Sequence, residues 1–437
     1  MGSTHGAERP SASTKGSRLT TVIVIALIVG IAAGYVAHEF FPESSPHFAE
    51  TVALLPTAFL RLVRMIIAPL VFATLVVGIA KMGDIGTVGR IGTKALGWFL
   101  FASIVSLTLG LVLVDLLEPG KAMQLPLPAG DASTGLKPGG LSLEDFITHT
   151  IPTSVIDAMA RNEILQIVVF SVFFGIAMTA LGPRTAMVLD GLEGVSLIML
   201  RVTGYVMLFA PLAVFGALAS TVAQEGLGVI KLYGIFVGEF YLGIFTLWAV
   251  LTCLGALFIG SRAPRLVRRV REPVLLAFST ASSEAAYPKT LEELERFGVS
   301  NRIASFVLPV GYSFNLDGSM MYCTFAVMFI AQVYGIHISI GQQIVMVAIL
   351  MLTSKGMAGV PRASLVVIAA TLAQFDIPSA GLVLLLGVDH FLDMGRSATN
   401  VVGNSIATAV VARWEGELRR DDEPAGAAIA AQAGEGT

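Results

Sequence analysis

The chain has 437 residues, of which 55% are hydrophobic and only 14% charged, whereas a soluble globular protein carries about 25% charged residues. A net charge of -3 supplies no basic field for nucleic acid. The balance excludes an ordinary soluble enzyme and reads as an all-α polytopic membrane protein.

Residues 1–18 ("MGSTHGAERPSASTKGSR") are small and polar and read as a disordered tail. The apolar run 19–38 is longer than the ~7–15 residues of a signal-peptide core, so it reads as a first membrane span. Further apolar segments at 53–80, 95–117, 151–181, 195–222, 228–260, 303–333 and 380–412 each approach the ~20 residues a span needs, eight spans in all. Lys81, Arg90 and Lys94 mark one short loop as basic, and "SRAPRLVRRVRE" (261–272) marks another. By the positive-inside rule both termini are expected in the cytoplasm. The Pro/Gly-rich segment 119–149 is expected outside. Cys253 and Cys323 match no metal spacing and read as small core residues.

Two stretches are not simple spans. Residues 272–298 ("EPVLLAFSTASSEAAYPKTLEELERFG") and 341–373 ("GQQIVMVAILMLTSKGMAGVPRASLVVIAATLA") each contain an apolar half, a small-residue tip and a second half. Each half is too short to cross a bilayer, and the pair read as re-entrant hairpins, 1 and 2. Each precedes a long helix with an expected polar break: "GYSFNLDGSMMY" (311–322) and "DHFLDMGRSATNVVGN" (389–404). A hairpin followed by a broken helix, occurring twice, is the pattern of an inverted-repeat secondary transporter.

In the last span Asp389, Asp393, Arg396, Asn400 and Asn404 fall within a wedge of roughly 80°, with Ser397 at its edge. Such intramembrane charges mark a functional site by default. Arg396 could form a planar fork for a carboxylate, or simply an ion pair with Asp393. Asp317, in "NLDGS", is the only formally charged residue in 303–354. It could coordinate a hard cation if Gly318 lets the helix open, or it could make a packing hydrogen bond. No G-x-S-x-G, H-E-x-x-H or phosphate loop is present, and no catalytic residue or organic cofactor is expected.

The segments "ASSEAAYP", "GYSFNLDGS", "SKGMAGVP" and "DMGRSATNVVGN" resemble the signatures of the dicarboxylate/amino acid:cation symporter family, which includes the glutamate transporters. The resemblance is nearest to bacterial proton-coupled glutamate/aspartate and C4-dicarboxylate carriers. It implies a homotrimer in the bacterial inner membrane, working as an elevator. A scaffold of 19–80 and 150–225 (spans 1, 2, 4 and 5) would hold a transport domain of 81–118 (span 3) and 226–414, leaving 415–437 as a cytoplasmic tail.

The resemblance also implies site residues. Arg396 would bind a substrate carboxylate and Asp393 a substrate ammonium group. Ser282, Ser283, Ser397, Asn400 and the second hairpin's tip, Val360, Pro361, Arg362, Ala363 and Ser364, would complete the substrate site. Gly311, Ser313, Asn315, Asp317 and Asn400 would serve the coupling cation, with a possible sodium at Gly311, Asn315, Asp317 and Asn400. Three departures bear on coupling. Asn404 stands where sodium-driven members carry an aspartate. Phe99 and Ala102 stand at sodium-site positions of span 3, where Ser103 remains. Glu284 replaces a tip serine. Together they raise coupling to H+ beside or instead of Na+, with Glu284 or Asp317 as proton carrier, although Glu284 could equally face water. Arg362 could bind a second carboxylate or face water. Because family dicarboxylate carriers typically lack an aspartate at position 393, acidic amino acids are the first expectation and C4-dicarboxylates the alternative.

Overall fold

In a computed structural model, residues 12–81, 84–122, 147, 150–226, 233–354, 363–386 and 388–419 are described. They are almost wholly helical. Helix α1 (Ala12–Phe40) starts seven residues before the expected span, so residues 12–18 are helical rather than loose. Short α2 (Ser45–Val52) leads into α3 (Leu54–Ala80), and α4 (Ile85–Leu117) follows. The Asp84 carboxylate caps α4, accepting from Gly86 N and Thr87 N at 3.0 Å each. Helices α5 (Pro119–Ala122) and α6 (Val155–Arg161) are short. Next come α7 (Ile164–Leu181), α8 (Ala186–Val206), α9 (Ala210–Glu225) and α10 (Gly234–Ile259).

Six helical stretches among the described residues are long and apolar enough to cross a membrane. The stretch Ile164–Glu225 runs to 62 residues and contains two of the expected spans, α7 and α8–α9. The last expected span is absent from the six because its polar wedge lowers its hydropathy. The eight-span reading therefore stands. Cys323 is buried, but Cys253 lies on the exposed face of α10. It is not a core residue, because one side of that helix packs on protein and the other faces outward.

Basic α11 (Arg262–Arg269) precedes the first hairpin, made of α12 (Arg271–Thr280) and α13 (Tyr287–Phe297). The hairpin turns through Ala281, whose φ is +49°. The second hairpin has arms α16 (Ile340–Thr353) and α17 (Ala363–Gln374). Its tip, including Val360, Pro361 and Arg362, lies outside the described residues, as does most of 119–149.

Between the hairpins, α14 (Asn301–Phe314) and α15 (Asp317–Val333) form one span broken at Asn315 and Leu316, as its polar residues led one to expect. The second expected break is absent. After short α18 (Val383–Leu386), α19 (Asp389–Trp414) is continuous through the whole polar stretch. Its wedge is met in part by Arg396 pairing along the same helix and by contacts from Tyr322, Gly318 and Asn315, and the helical backbone is undisturbed. Helix α1 packs on α9, and α3 packs on α7 and α8. In a second group α4 packs on α15, while α19 is surrounded by α10, α12, α14 and α15. The wedge thus sits at the centre of the second group, and α14 also touches α3.

Residues 415–419 are not a free tail. Glu415 takes Arg90 Nη2 at 2.9 Å and Lys94 Nζ at 2.6 Å from the start of α4. Glu417 pairs with Arg302, and its carbonyl accepts Ser300 N. Arg419 N donates to Gly298 O, while its carbonyl accepts Arg262 Nη1 at 2.7 Å. This strap joins α4, α11, the base of hairpin 1 and α19. Hydrogen bonds from Arg90 and then Lys94 hold the Glu415 carboxyl below the usual carboxylate range. A lowered carboxyl stabilises the fold above its unfolded pKa of about 4.3, and that contribution fades as pH falls through the folded value. Glu415→Gln should therefore lower stability by about 1 kcal/mol at pH 7, a modest figure because Arg90 is half exposed. Thermal unfolding of the purified protein should show the difference at pH 7 and its shrinkage as pH falls below the unfolded value of about 4.3.

Candidate functional site

Arg396 is the centre of the wedge. It retains only 2% exposure, and its Nη2 lies 3.2 Å from Asp389 Oδ1 and 2.9 Å from Asp393 Oδ1. Its guanidinium carbon sits 4.1 Å from the Tyr322 ring centroid, within the range of a cation–π contact. The Tyr322 hydroxyl donates to the same Asp389 Oδ1 at 3.2 Å. One face of the guanidinium is thereby fixed by wholly internal groups. Asp393 differs from Asp389, because its side chain keeps 36% exposure and forms the open side of the pair. Nε and Nη1 of Arg396 are buried without a partner among the described residues. Buried N–H groups left unmatched cost about 1–3 kcal/mol, so these donors are suited to an incoming anion. The ion pair that the sequence raised is present but incomplete: Asp389 and Asp393 engage one nitrogen and leave two.

One turn further along α19, Asn400 Oδ1 accepts Gly318 N at 2.9 Å, and its Nδ2 approaches Ser319 Oγ at 3.4 Å. Gly318 does not open the helix as expected. It lies inside α15, and a Cβ there would sit 2.5 Å from Arg396 O, so its role is to let α15 and α19 touch through their backbones. The break falls three residues earlier. There Asn315 Nδ2 donates to Asp317 Oδ2 at 3.0 Å and to Asn404 Oδ1 at 3.2 Å. Asp317 Oδ1 accepts Ser106 Oγ at 3.2 Å. As an acceptor, the Asp317 carboxylate fixes both amides: Asn315 must turn its NH2 towards Asp317, and Asn404 must then turn its oxygen towards Asn315. The groups left over are Asn315 Oδ1, Asn404 Nδ2 and, nearby in sequence, Ser313 Oγ, all buried without partners among the described residues.

These atoms bear on the cations raised by the sequence. Asn315 Oδ1 and Ser313 Oγ are oxygens a hard cation could use. The Asn404 NH2, a donor, repels one. Gly311 accepts Asn315 N at 2.7 Å through its carbonyl, and a Cβ on it would collide with the Asn404 amide. The set fits sodium only in part.

The other sequence-derived positions are placed less closely. Ser103 is buried and bonds Phe99 O at 2.6 Å, while Ser106, one turn on, is the residue that reaches Asp317. Ser397 and Ser364 are buried, and Ala363 opens α17. At the tip of hairpin 1, Ser282 Oγ accepts Ala285 N at 3.3 Å and Ser283 O accepts Ala286 N; both bonds stay within the hairpin. Glu284 is half-buried. The sequence assigned no role to Asp389, Tyr322 or Ser106. Asp389 was visible in the wedge, seven residues from Arg396, but Tyr322 and Ser106 come from other helices and left no local signal. Behind the wedge, Trp248 Nε1 donates to Thr399 Oγ1 at 2.8 Å and Tyr241 OH to Phe391 O at 2.6 Å, locking α19 against α10.

Comparison with known proteins agrees with the signatures read from the sequence. The family model described as the sodium:dicarboxylate symporter family matches residues 19–414. A C4-dicarboxylate transport protein of Bacillus subtilis is 38% identical over 404 residues, covering 92% of this chain and 94% of that one. A protein of the same name from Rhizobium johnstonii is 39% identical over 432 residues, covering 97% and 96%. One from Laribacter hongkongensis is 39% identical, covering 91% and 90%. An extended match of this kind, running through both hairpins and the polar wedge, makes the chain a multi-pass membrane transporter and not an enzyme: it belongs to the sodium:dicarboxylate symporter family.

Proposed function

We propose that the chain imports C4-dicarboxylates such as succinate, fumarate or malate, with Arg396 receiving one substrate carboxylate. The observation that carries this reading is the fixed guanidinium with two unpartnered nitrogens, in a family whose relatives here are named C4-dicarboxylate transport proteins. Those names reverse the order expected from Asp393, which had put glutamate and aspartate first. The acidic amino acids remain a second reading for one specific reason. Asp393 is the exposed carboxylate of the pair, and an ammonium beside it would replace part of its interaction with Arg396.

We assign the packing group of α4, α10–α17 and α19 to a moving transport domain, and α1, α3 and α7–α9 to a trimeric scaffold in an elevator. Both termini are placed in the cytoplasm, on the side of the arginine-rich loop. For coupling, the Asn404 NH2 favours a proton over a sodium ion at the break of α14–α15, and half-buried Glu284 is the proposed carrier. Sodium at the oxygens of Asn315 and Asp317 is the competing reading.

One experiment tests substrate and coupling together. Uptake of labelled succinate and labelled aspartate is measured in proteoliposomes with pH gradient and sodium varied independently. Succinate uptake driven by an inward proton gradient without sodium is the expected result. Asp393→Ser should leave succinate uptake within about threefold of the parent and lower aspartate uptake by at least tenfold, the scale of one charge-assisted contact of about 1.5–3 kcal/mol. Aspartate uptake exceeding succinate uptake would sink the dicarboxylate reading. An absolute need for sodium would sink the proton reading.

A further inference from the structure

The arginine-rich helix α11 supplies no side chain to the wedge around Arg396 and carries five basic residues with the start of α12. It follows α10 at Gly260, whose φ is +61°, and it buries one face completely: Ala263, Leu266 and Val270 are all at 0% exposure. The opposite face carries Arg265, Arg268 and Arg269, and Arg271 follows directly, all exposed. Arg269 is matched by Glu293 at 2.7 Å, and Arg262 is used by the strap. Arg268 and Arg271 meet no carboxylate among the described residues.

The depth of this helix is set by its neighbours. Leu257 and Phe258, in the last turn of α10, are 76% and 41% exposed, the mark of a surface facing lipid in a chain of this class. Phe258 joins Trp98 and Trp414 in a three-ring cluster with centroid separations of 5.2–5.9 Å. Trp98 is buried, and Phe258 is the exposed member of the cluster. Arg268 lies ten residues beyond Phe258, with a short turn at Gly260 between two helices, so the two are on the order of 15 Å apart. Exposed arginines at that distance from lipid-facing side chains stand at the level of the phospholipid headgroups.

We propose that α11 and the first residue of α12 form a docking surface for anionic phospholipid headgroups, with Arg268 and Arg271 as the principal contacts. A guanidinium matches a phosphodiester in charge and in hydrogen-bond geometry. An amphipathic segment with a basic outer face, continuous with a lipid-exposed one, is built to lie in that layer. Because α11 runs straight into hairpin 1, the bound headgroups would tether the base of that hairpin and the strap to the bilayer surface. The orientation of the loop alone requires basic charge near a span but does not require arginines that meet no carboxylate among the described residues.

The test uses the full-length protein in detergent, titrated separately with dioleoyl-phosphatidylglycerol and dioleoyl-phosphatidylcholine, with bound lipid counted by native mass spectrometry. The parent should hold phosphatidylglycerol at least fivefold more tightly than phosphatidylcholine, the scale of about one surface arginine. Arg268→Gln/Arg271→Gln should remove at least fivefold of that preference while phosphatidylcholine binding stays unchanged, which also shows that the variant is folded. Arg184→Gln, at another exposed arginine, should retain the preference. Equal binding of the two lipids by the parent overturns the proposal. So does a preference that survives the double substitution, or one lost equally in Arg184→Gln.

Discussion

Arg396→Ala is expected to reduce dicarboxylate uptake at least a hundredfold, the largest effect of any single substitution at the site. The change removes the proposed carboxylate fork and also leaves Asp389 and Asp393 facing each other without the charge that separates them. Removing one member of a buried ion pair costs on the order of 3–5 kcal/mol, mostly through the charge left behind. Folding must therefore be checked by size-exclusion profile and thermal unfolding before transport is read. Arg396→Lys supplies the sharper comparison. It keeps the charge but replaces a planar group stacked on Tyr322 at 4.1 Å with a point charge that cannot hold both carboxylates on one nitrogen and offer others to a substrate. It should fold like the parent and still lose at least tenfold in succinate uptake. Parental uptake by either variant would place the substrate carboxylate elsewhere.

Gly403→Ala should be nearly as damaging, although it adds a single methyl group and no charge. Its Cβ would collide with the Asp317 carboxylate, which cannot retreat easily because Ser106 and Asn315 hold its two oxygens. Forcing atoms into a close-packed interior costs about 1–3 kcal/mol, and displacing a buried carboxylate from its donors adds a comparable amount. Transport should fall at least tenfold, with a lowered unfolding temperature. Gly238→Ala on α10 is the matched comparison, since a Cβ there meets nothing within 4 Å. It should be neutral or slightly stabilising, as alanine is the better helix former by up to ~1 kcal/mol. A Gly403→Ala protein with normal transport would show that Asp317 can move freely and that its hydrogen-bond cage is dispensable.

Features set by local patterning were the most legible in the sequence. The hairpins, the break near Asn315 and the wedge of α19 all follow from polar residues spaced along apolar segments, because a bilayer tolerates such residues only where something satisfies them. Partners on distant helices were less legible. Asp389 stood in the wedge, but its contact with Tyr322 joins residues 67 apart, and Ser106 reaches Asp317 across 211 positions. Ser103 and Ser106 differ by one helical turn, and span 3 alone does not show which of them meets Asp317. Gly318 illustrates a second limit. A glycine after an intramembrane aspartate suggests a flexible joint, whereas its lack of a side chain serves close packing against the Arg396 backbone. Substrate choice was the least legible, since one carboxylate, Asp393, can serve as an ammonium partner or as half of an ion pair.

The strap also has a consequence for biosynthesis. Glu415 closes onto Arg90 across 325 positions of sequence, and the base of hairpin 1 waits for Glu417 and Arg419. A ribosome releases residues in order at about 5–20 per second, so every membrane segment is synthesised before the contact that joins them is available. Contacts this far apart in sequence slow folding. A chain ending at Trp414 would hold all the helices described above yet lack the contacts of Glu415, Glu417 and Arg419 that join α4, α11 and the base of hairpin 1.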